Sequence, residues 1–320
     1  MLSEFISNRR RIEVGMAALK DRRVLVTGAR GFIGTAVCRM LTSLGADVYG
    51  VGRSAGDPGE GACSFTCVDL TDADATQAYF EATRPEFVIH LAGCSVARRD
   101  LEWVQTTFRA NLVTSVNLLA AAEKLAVEKT VIAGSLEQPD DTTANSVPSS
   151  PYAASKWAAA GYAKMFHAVY GMQVDTARIF MVYGPGQREL QKMIPYVCLS
   201  AIAGTEPSLM SGARLVDWVY IDDVAEGLIR MLLDGPGDGS LVDLGTGELV
   251  STGDVAGMIC RKSATGVSPR IGAIPDRAME QIRKADVEKT EQQIAWRPRT
   301  SLEDGLDETL AWYKQIHATQ

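Results

Sequence analysis

Short apolar runs rich in β-branched residues alternate with stretches of helical period through the first half of the chain. Arg23–Thr27 (RVLVT), Asp47–Gly52 (DVYGVG), Phe65–Val68, Phe87–Leu91 (FVIHL), Thr130–Ala133 and Val174–Phe180 read as six strands. Between them, Thr35–Leu44 and Thr107–Leu125 carry apolar residues at helical spacing. The strands lack clean in–out alternation, so each is buried on both faces. Strands of that kind, alternating with helices, predict a doubly wound α/β fold: a parallel sheet with right-handed crossovers and helices on both sides.

After Tyr183-Gly184-Pro185-Gly186 the pattern changes. Glycine and proline become frequent and the apolar runs shorten. Asp217–Ile221 (DWVYI) and Leu241–Leu244 (LVDL) read as strands, and Leu302–Ile316 as an amphipathic helix. The expected organisation is an extension over residues 1–22, a first domain over 23–182, and a smaller lobe formed mainly by 183–320. Residues near 217–245 are expected to complete the first domain's sheet.

Composition narrows the function classes. Of 320 residues, 46% are hydrophobic and 22% charged, which excludes a disordered chain. No apolar run approaches the ~20 residues that cross a bilayer. The net charge of −7 gives no global attraction to nucleic acid or anionic lipid, so neither is expected as a partner and any anion must be held locally. The six cysteines are scattered and read as reduced thiols of a cytoplasmic protein. Cys63 and Cys67 have no Cys or His pair nearby to complete a metal site, so no metal is expected. The first 22 residues, with Arg9-Arg10-Arg11, lack the apolar core of a signal peptide.

Candidate chemistry begins at Thr27-Gly28-Ala29-Arg30-Gly31-Phe32-Ile33-Gly34, between a strand and a helix. A chain that turns sharply there, with backbone N–H groups at a helix N-terminus, can receive a dinucleotide pyrophosphate. A tight turn without a ligand is the plainer alternative, and the strand–loop–helix context weighs against it. The second strand ends in Gly52-Arg53-Ser54, without the carboxylate that would hold a ribose 2′-hydroxyl. A small residue, a guanidinium and a hydroxyl suit a 2′-phosphate, with Arg30 as a second cation, so NADP(H) is expected over NAD(H). Further on, Tyr152 and Lys156 are four apart and share one helical face. A nearby ammonium lowers the phenol's pKa from about 10, which makes proton transfer feasible. Ser135, just past the fifth strand, stands where parallel sheets bind ligands.

Together these residues resemble the extended short-chain dehydrogenase/reductase family, in its nucleotide-sugar epimerase, dehydratase and ketoreductase branch. The likeness runs from Arg23 nearly to the C-terminus. Thr27–Gly34 is similar to TGxxGxxG, Asp69-Leu70 to an adenine-contacting pair, and His90-Leu91-Ala92-Gly93 to a stretch beside the cofactor. Asn111 matches a helix asparagine, and Ser135, Tyr152 and Lys156 match the catalytic set. Arg178–Gly186 (RIFMVYGPG), Asp217–Asp223 (DWVYIDD) and Trp296-Arg297-Pro298 resemble three later motifs. The resemblance implies a Rossmann-type first domain, a C-terminal substrate lobe and a nucleoside-diphosphate sugar as substrate. It also implies a homodimer in which helices near Asn111–Leu125 and Ala153–Tyr170 form a four-helix bundle.

The chain departs from the pattern in places. Ser135 is followed by Leu136-Glu137, where 4,6-dehydratases place two acids; Glu137 is kept as a candidate acid or base. Met181 replaces a substrate-contacting asparagine, and Val216 an arginine that holds the diphosphate. Arg283, Arg214, Arg188 and Arg277 are the candidates for that role. The expected reaction is NADPH-dependent reduction of a 4-keto-6-deoxy sugar, with Tyr152 as general acid. An epimerase or dehydratase that retains its cofactor is the alternative, and a cofactor-binding protein with a dead site the third reading.

Overall fold

The computed structural model describes residues 17–53, 64–139, 146–276 and 281–318. Strands β1 (Arg23–Thr27), β2 (Asp47–Gly52), β3 (Ser64–Cys67), β4 (Phe87–His90), β5 (Lys129–Ala133), β6 (Val174–Ile179) and β10 (Asp238–Leu244) form one sheet in the order β10-β6-β5-β4-β1-β2-β3. β1 runs parallel to β2 and β4, β4 to β5, and β5 to β6. Val174 N–H donates to the Gly237 carbonyl and Phe180 N–H to that of Leu244, so β6 and β10 also advance together. The chain builds outward from β1 through β2 to β3, then returns to β4 on β1's other side. The order therefore reverses between β1 and β4, the topological switch where open α/β sheets bind ligands at their carboxyl edge.

Strand side chains explain the layers. Leu25, Val51, Val88, Ile132 and Val174 share a core with Phe80 of α2 (Ala73–Thr83), Leu118 and Leu119 of α4 (Thr114–Lys124), and Ala159, Ala163 and Phe166 of α5 (Pro151–Tyr170). Fully burying a side chain such as Phe80 or Leu118 stabilises by about 1.5–3 kcal/mol. Helix α1 (Phe32–Ser43) follows the glycine loop and buries Val37, Cys38 and Leu41. The start of α5 is set by Ser150, whose hydroxyl accepts from Ala153 N–H, with Pro151 in the first turn; Gly171 ends it in left-handed conformation.

The helix expected over 107–125 is not uniform. α3 (Glu102–Thr107) passes through a π-helical stretch, Phe108–Val113, before α4 begins. The strand expected at 217–221 is shorter, β9 (Trp218–Tyr220). It pairs in parallel with β7 (Met181–Tyr183) in a small separate sheet, and only β10 joins the large one.

The chain divides into two compact units: residues 1–178 with 225–242 and 292–296, and residues 179–224 with 243–291 and 297–320. Within the second unit, β8 (Leu215–Val216) pairs antiparallel with β11 (Val250–Ser251). Asp217 organises that unit: its carboxylate accepts from the backbone N–H groups of Thr246, Gly247 and Ala285 at 2.7–2.9 Å. Asp223 does the same for Arg299 and Thr300. The "DWVYIDD" run thus serves backbone anchoring.

Candidate functional site

Three neighbouring strands of the first unit deliver the candidate residues at their carboxyl ends: β1 the glycine loop, β4 Leu91-Ala92-Gly93, and β5 Ser135. The loop is built for close approach. Gly28 has φ +65°, and a β-carbon there would sit 2.9 Å from Ala92 N. A β-carbon on Gly34 would overlap the Gly28 carbonyl. Gly31 caps α1 with no side-chain hydrogen bond, leaving backbone N–H groups of the first turn for a ligand, and Phe32 and Ile33 open that helix half-buried. These residues fit a dinucleotide pyrophosphate.

Behind the loop runs a buried hydrogen-bonded chain. Thr27 Oγ1 accepts from Leu91 N–H at 3.1 Å and Ala92 N–H at 3.0 Å, so its single proton goes to His90 Nδ1, 2.7 Å away. His90 is then neutral with its proton on Nε2, which donates to Ser115 Oγ at 3.0 Å; Ser115 donates onward to the Asn111 carbonyl. Burial, with the nearby Lys156 charge, pushes the His90 pKa down to about 3.

Asn111 sits inside the π-helical stretch, fully buried. Its Oδ1 accepts from Cys94 N–H at 2.7 Å, and its Nδ2 donates to the Cys94 carbonyl and to Ser155 Oγ. Ser155 in turn donates to the Tyr152 carbonyl at 2.8 Å. The extra residue of a π turn places Asn111 between the β4 loop and helix α5, a use common for π turns at functional sites.

Lys156 is buried, and its Nζ donates to the Ala133 carbonyl at 2.7 Å. Burial lowers its pKa to about 8, partly offset by Cys94. A β-carbon on Gly93 would lie 3.6 Å from that Nζ, which places the β4 loop beside it. Tyr152 begins the same helix half-buried. Ser135 Oγ accepts from Glu137 N–H at 3.2 Å, and Glu137 Oε2 accepts from Ser149 Oγ at 3.3 Å. Gln138 donates to the Lys156 carbonyl and accepts from Ser135 N–H. Ser135, Glu137 and Lys156 are therefore gathered through direct contacts and one bridging amide. A ligand oxygen near Ser135 would meet its hydroxyl, with the Glu137 carboxylate turned to Ser149 and the Lys156 ammonium to the Ala133 carbonyl on the same strand.

At the far side of the loop, the Arg30 guanidinium lies 3.5 Å over the Phe65 ring of β3. Arg53 is exposed at the end of β2, and Ser54 lies outside the described residues. Asp69 is held below the usual carboxylate range, first by hydrogen bonds from Thr71 and further by the Arg53 and Arg109 charges. Leu70 is buried, and its carbonyl accepts from Asn117.

The candidate diphosphate cations belong to the second unit. Arg188 is exposed in the turn after β7, Arg214 half-buried before β8, and Arg283 half-buried two residues before Ala285. Arg277 lies outside the described residues. Among the described residues no cluster of His, Cys, Asp and Glu could hold a metal, and no helix is long and apolar enough to cross a membrane. The five described cysteines are free.

Cys94, Ser115, Ser155 and the hydrogen bond that joins Thr27 to His90 are absent from the sequence-based site. A buried Thr and His at the ends of adjacent strands signal such a bond only once β1 and β4 are known to be neighbours.

A family profile described as the NAD dependent epimerase/dehydratase family matches residues 24–242. The chain belongs to that family. A probable dTDP-glucose 4,6-dehydratase of Sinorhizobium fredii is 31% identical, over 91% of this chain and 92% of that one. The UDP-glucuronate 4-epimerase of Thermodesulfobacterium geofontis is 28% identical, over 91% and 96%. Among solved structures, Thermus thermophilus UDP-glucose 4-epimerase in complex with NAD superposes with a TM-score of 0.80 at 26% identity, covering 91% of this chain and 99% of that one. The fold is the Rossmann-type sheet of this family, and the chain is an enzyme of the extended short-chain dehydrogenase/reductase type that binds a nicotinamide dinucleotide. The relatives are dehydratases and epimerases, so they favour the retained-cofactor alternative over the ketoreductase placed first on sequence grounds.

Proposed function

We propose that the chain converts a nucleoside-diphosphate sugar by transient oxidation of a ring carbon followed by re-reduction, with the dinucleotide regenerated in the site. The observation that carries this reading is the gathering of Ser135, Glu137 and Lys156, with Tyr152 one helical turn before Lys156, next to a glycine loop shaped for a pyrophosphate. A dinucleotide bound there supplies hydride transfer. Tyr152 moves the proton of the sugar hydroxyl, Lys156 stabilises its phenolate and holds the nicotinamide ribose, and Ser135 orients the sugar oxygen. Leu91, Ala92, Gly93 and Asn111 line the nicotinamide side, and Asp69 and Leu70 the adenine side. Arg283, Arg214 and Arg188 are proposed for the diphosphate.

Epimerisation is favoured over dehydration by Leu136. It is buried at the position where 4,6-dehydratases commonly carry a further acid, which leaves Glu137 as the acid of this run, next to Ser135. The proposed cofactor is NAD(H). The family's description and the NAD held by the Thermus structure support it, and Arg53 already has the Asp69 carboxylate within electrostatic reach. The NADP(H) preference expected from Gly52-Arg53 loses its main support.

A homodimer is proposed through α3, the π stretch and α5. Trp157 and Tyr162 of α5 are 37% and 39% exposed, and Phe108, 45% exposed, lines a 590 Å³ groove with Val104, Leu112, Ala154 and Ala158.

The test is incubation with UDP-glucose, UDP-glucuronate and dTDP-glucose, followed by NMR of the products and absorbance of the dinucleotide. The expected result is a new sugar isomer without net dinucleotide consumption, lost by roughly a hundredfold or more in Tyr152→Phe while dinucleotide binding remains. Stoichiometric oxidation of added NAD(P)H would install the ketoreductase reading instead.

A further inference from the structure

The Gln138 side chain is 1% exposed and spans two parts of the site. Its Oε1 accepts from Ser135 N–H at 2.7 Å, and its Nε2 donates to the Lys156 carbonyl at 3.1 Å. Its own N–H donates to the Ser135 carbonyl at 3.1 Å. One carboxamide thus joins the end of β5 to the helix bearing Tyr152 and Lys156. Gly134 makes the room. A β-carbon there would overlap Gln138 Oε1 and lie 2.8 Å from Thr176 Cγ2, so the amide occupies a slot that only glycine leaves open.

The consequence runs through Lys156. Its Nζ donates to Ala133, two residues before Ser135 on the same strand. Helix α5 therefore meets the end of β5 twice: by the lysine side chain at Ala133 and by the amide clamp at Ser135. Without the clamp, Ser135 loses its direct side-chain tie to α5, and the Lys156–Ala133 bond and the Glu137–Ser149 contact ahead of the helix remain. Both the Ser135 hydroxyl and the depth of Lys156 would then be free to drift.

We propose that Gln138 is a positioning residue that clamps Ser135 against the Tyr152–Lys156 helix, with Gly134 as the slot that admits its carboxamide. The inference rests on the functional reading above, in which Ser135 and Lys156 act on the sugar.

Two substitutions and two readouts test it. Gln138→Met keeps length and apolar volume but removes both side-chain bonds. With a turned-over nucleotide sugar, its kcat is expected to fall roughly 10- to 100-fold while NAD+ affinity, titrated separately, changes less than about threefold. Gln138→Glu can make both bonds only while protonated, so its turnover relative to the native protein at the same pH should rise as pH falls. The second readout needs no substrate: the pH dependence of Lys156 acylation by acetic anhydride, followed by mass spectrometry. His90 and Cys94 face Lys156 in every variant, so a change reports the clamp. Burial lowers the Lys156 pKa to about 8, and the half-labelling pH should move up in Gln138→Met relative to the native protein as water reaches the ammonium. Native kcat in Gln138→Met, or an unmoved Lys156 profile, overturns the proposal. If the native protein converts none of the sugars offered, the functional reading fails while the Lys156 profile still decides whether the clamp exists.

Discussion

Lys156 Nζ donates to the Ala133 carbonyl oxygen at 2.7 Å with its side chain buried. An ammonium held this way is costly. Its pKa falls from 10.5 to about 8, chiefly by desolvation, so the folded state binds the proton more weakly than the unfolded chain. The penalty, on the order of 3 kcal/mol, is fully present below pH 8 and is relieved as pH rises from 8 towards 10.5. Lys156→Met removes that penalty but leaves the Ala133 carbonyl without its donor, a loss of about 1–3 kcal/mol. At pH 7 the variant should be about 1 kcal/mol more stable than the native protein, and less stable near pH 10. Urea midpoints at the two pH values check this; a variant less stable at both would show that the lysine carries no such cost.

Burial of His90, with the Lys156 charge nearby, sets a second pH dependence. His90 is held neutral with its pKa near 3, against 6.5 in the unfolded chain. Between those values the unfolded state binds more protons, so stability falls as pH drops from 6.5 towards 3, by up to about 1.4 kcal/mol per pH unit. His90→Gln should flatten this slope between pH 6.5 and 5. Thr27→Val should cost on the order of 2 kcal/mol, because it takes the hydroxyl from Ala92 N–H and His90 Nδ1, while Leu91 N–H keeps the Thr27 backbone carbonyl at 3.3 Å. Denaturant titrations at pH 7 and pH 5 measure both effects; an unchanged slope in His90→Gln would place the acid sensitivity on other groups.

These two relationships also show what a sequence discloses. The strands, the glycine loop and the Tyr152–Lys156 spacing depend on local pattern and were legible. Two-faced burial gives β1, β4 and β5 apolar runs without in–out alternation, and a helix has to put residues four apart on one face. The π stretch was not legible, because Phe108–Val113 has the same apolar spacing as an ordinary helix. Its extra residue becomes visible only when Asn111 is seen bonded to Cys94 and Ser155. Gln138 escaped for a similar reason: a lone amide after Ser135 has no meaning until Lys156, 18 residues later, returns to meet it. Asp217 shows the reverse, a motif acid whose work is to hold three backbone N–H groups.

Cofactor choice turns on Arg53. With Asp69 within its field, the guanidinium is not reserved for a 2′-phosphate. NAD(H) should therefore bind at least as tightly as NADP(H), and Arg53→Ala should change the ratio of the two dissociation constants by less than about tenfold. A charge-assisted phosphate contact would instead make NADP(H) the tighter ligand and cost it roughly ten- to a hundredfold on substitution. Fluorescence titration of both reduced dinucleotides against native and variant protein distinguishes the two.

The exposed face of α3, the π stretch and α5 supplies the last prediction. Phe108 and Trp157 present large apolar surfaces to solvent, and Leu101, at the start of α3, is 88% exposed. The 590 Å³ groove between these helices is lined by small and apolar residues, among them Ala154 and Ala158, which permit close helix approach. A stable dimer buries about 1,200–2,000 Å² in total, an area that two helices from each copy can supply. A charge placed in such a core loses its hydration without gaining a partner, so Phe108→Glu and Trp157→Glu should each shift the protein towards the 34.5 kDa monomer. Both positions are already solvent-exposed in the single chain, so the thermal midpoint of the isolated monomer should barely move. Light scattering at micromolar concentration reads the outcome. A native protein that scatters as a monomer removes the dimer, and a charged variant that stays dimeric places the interface on another face.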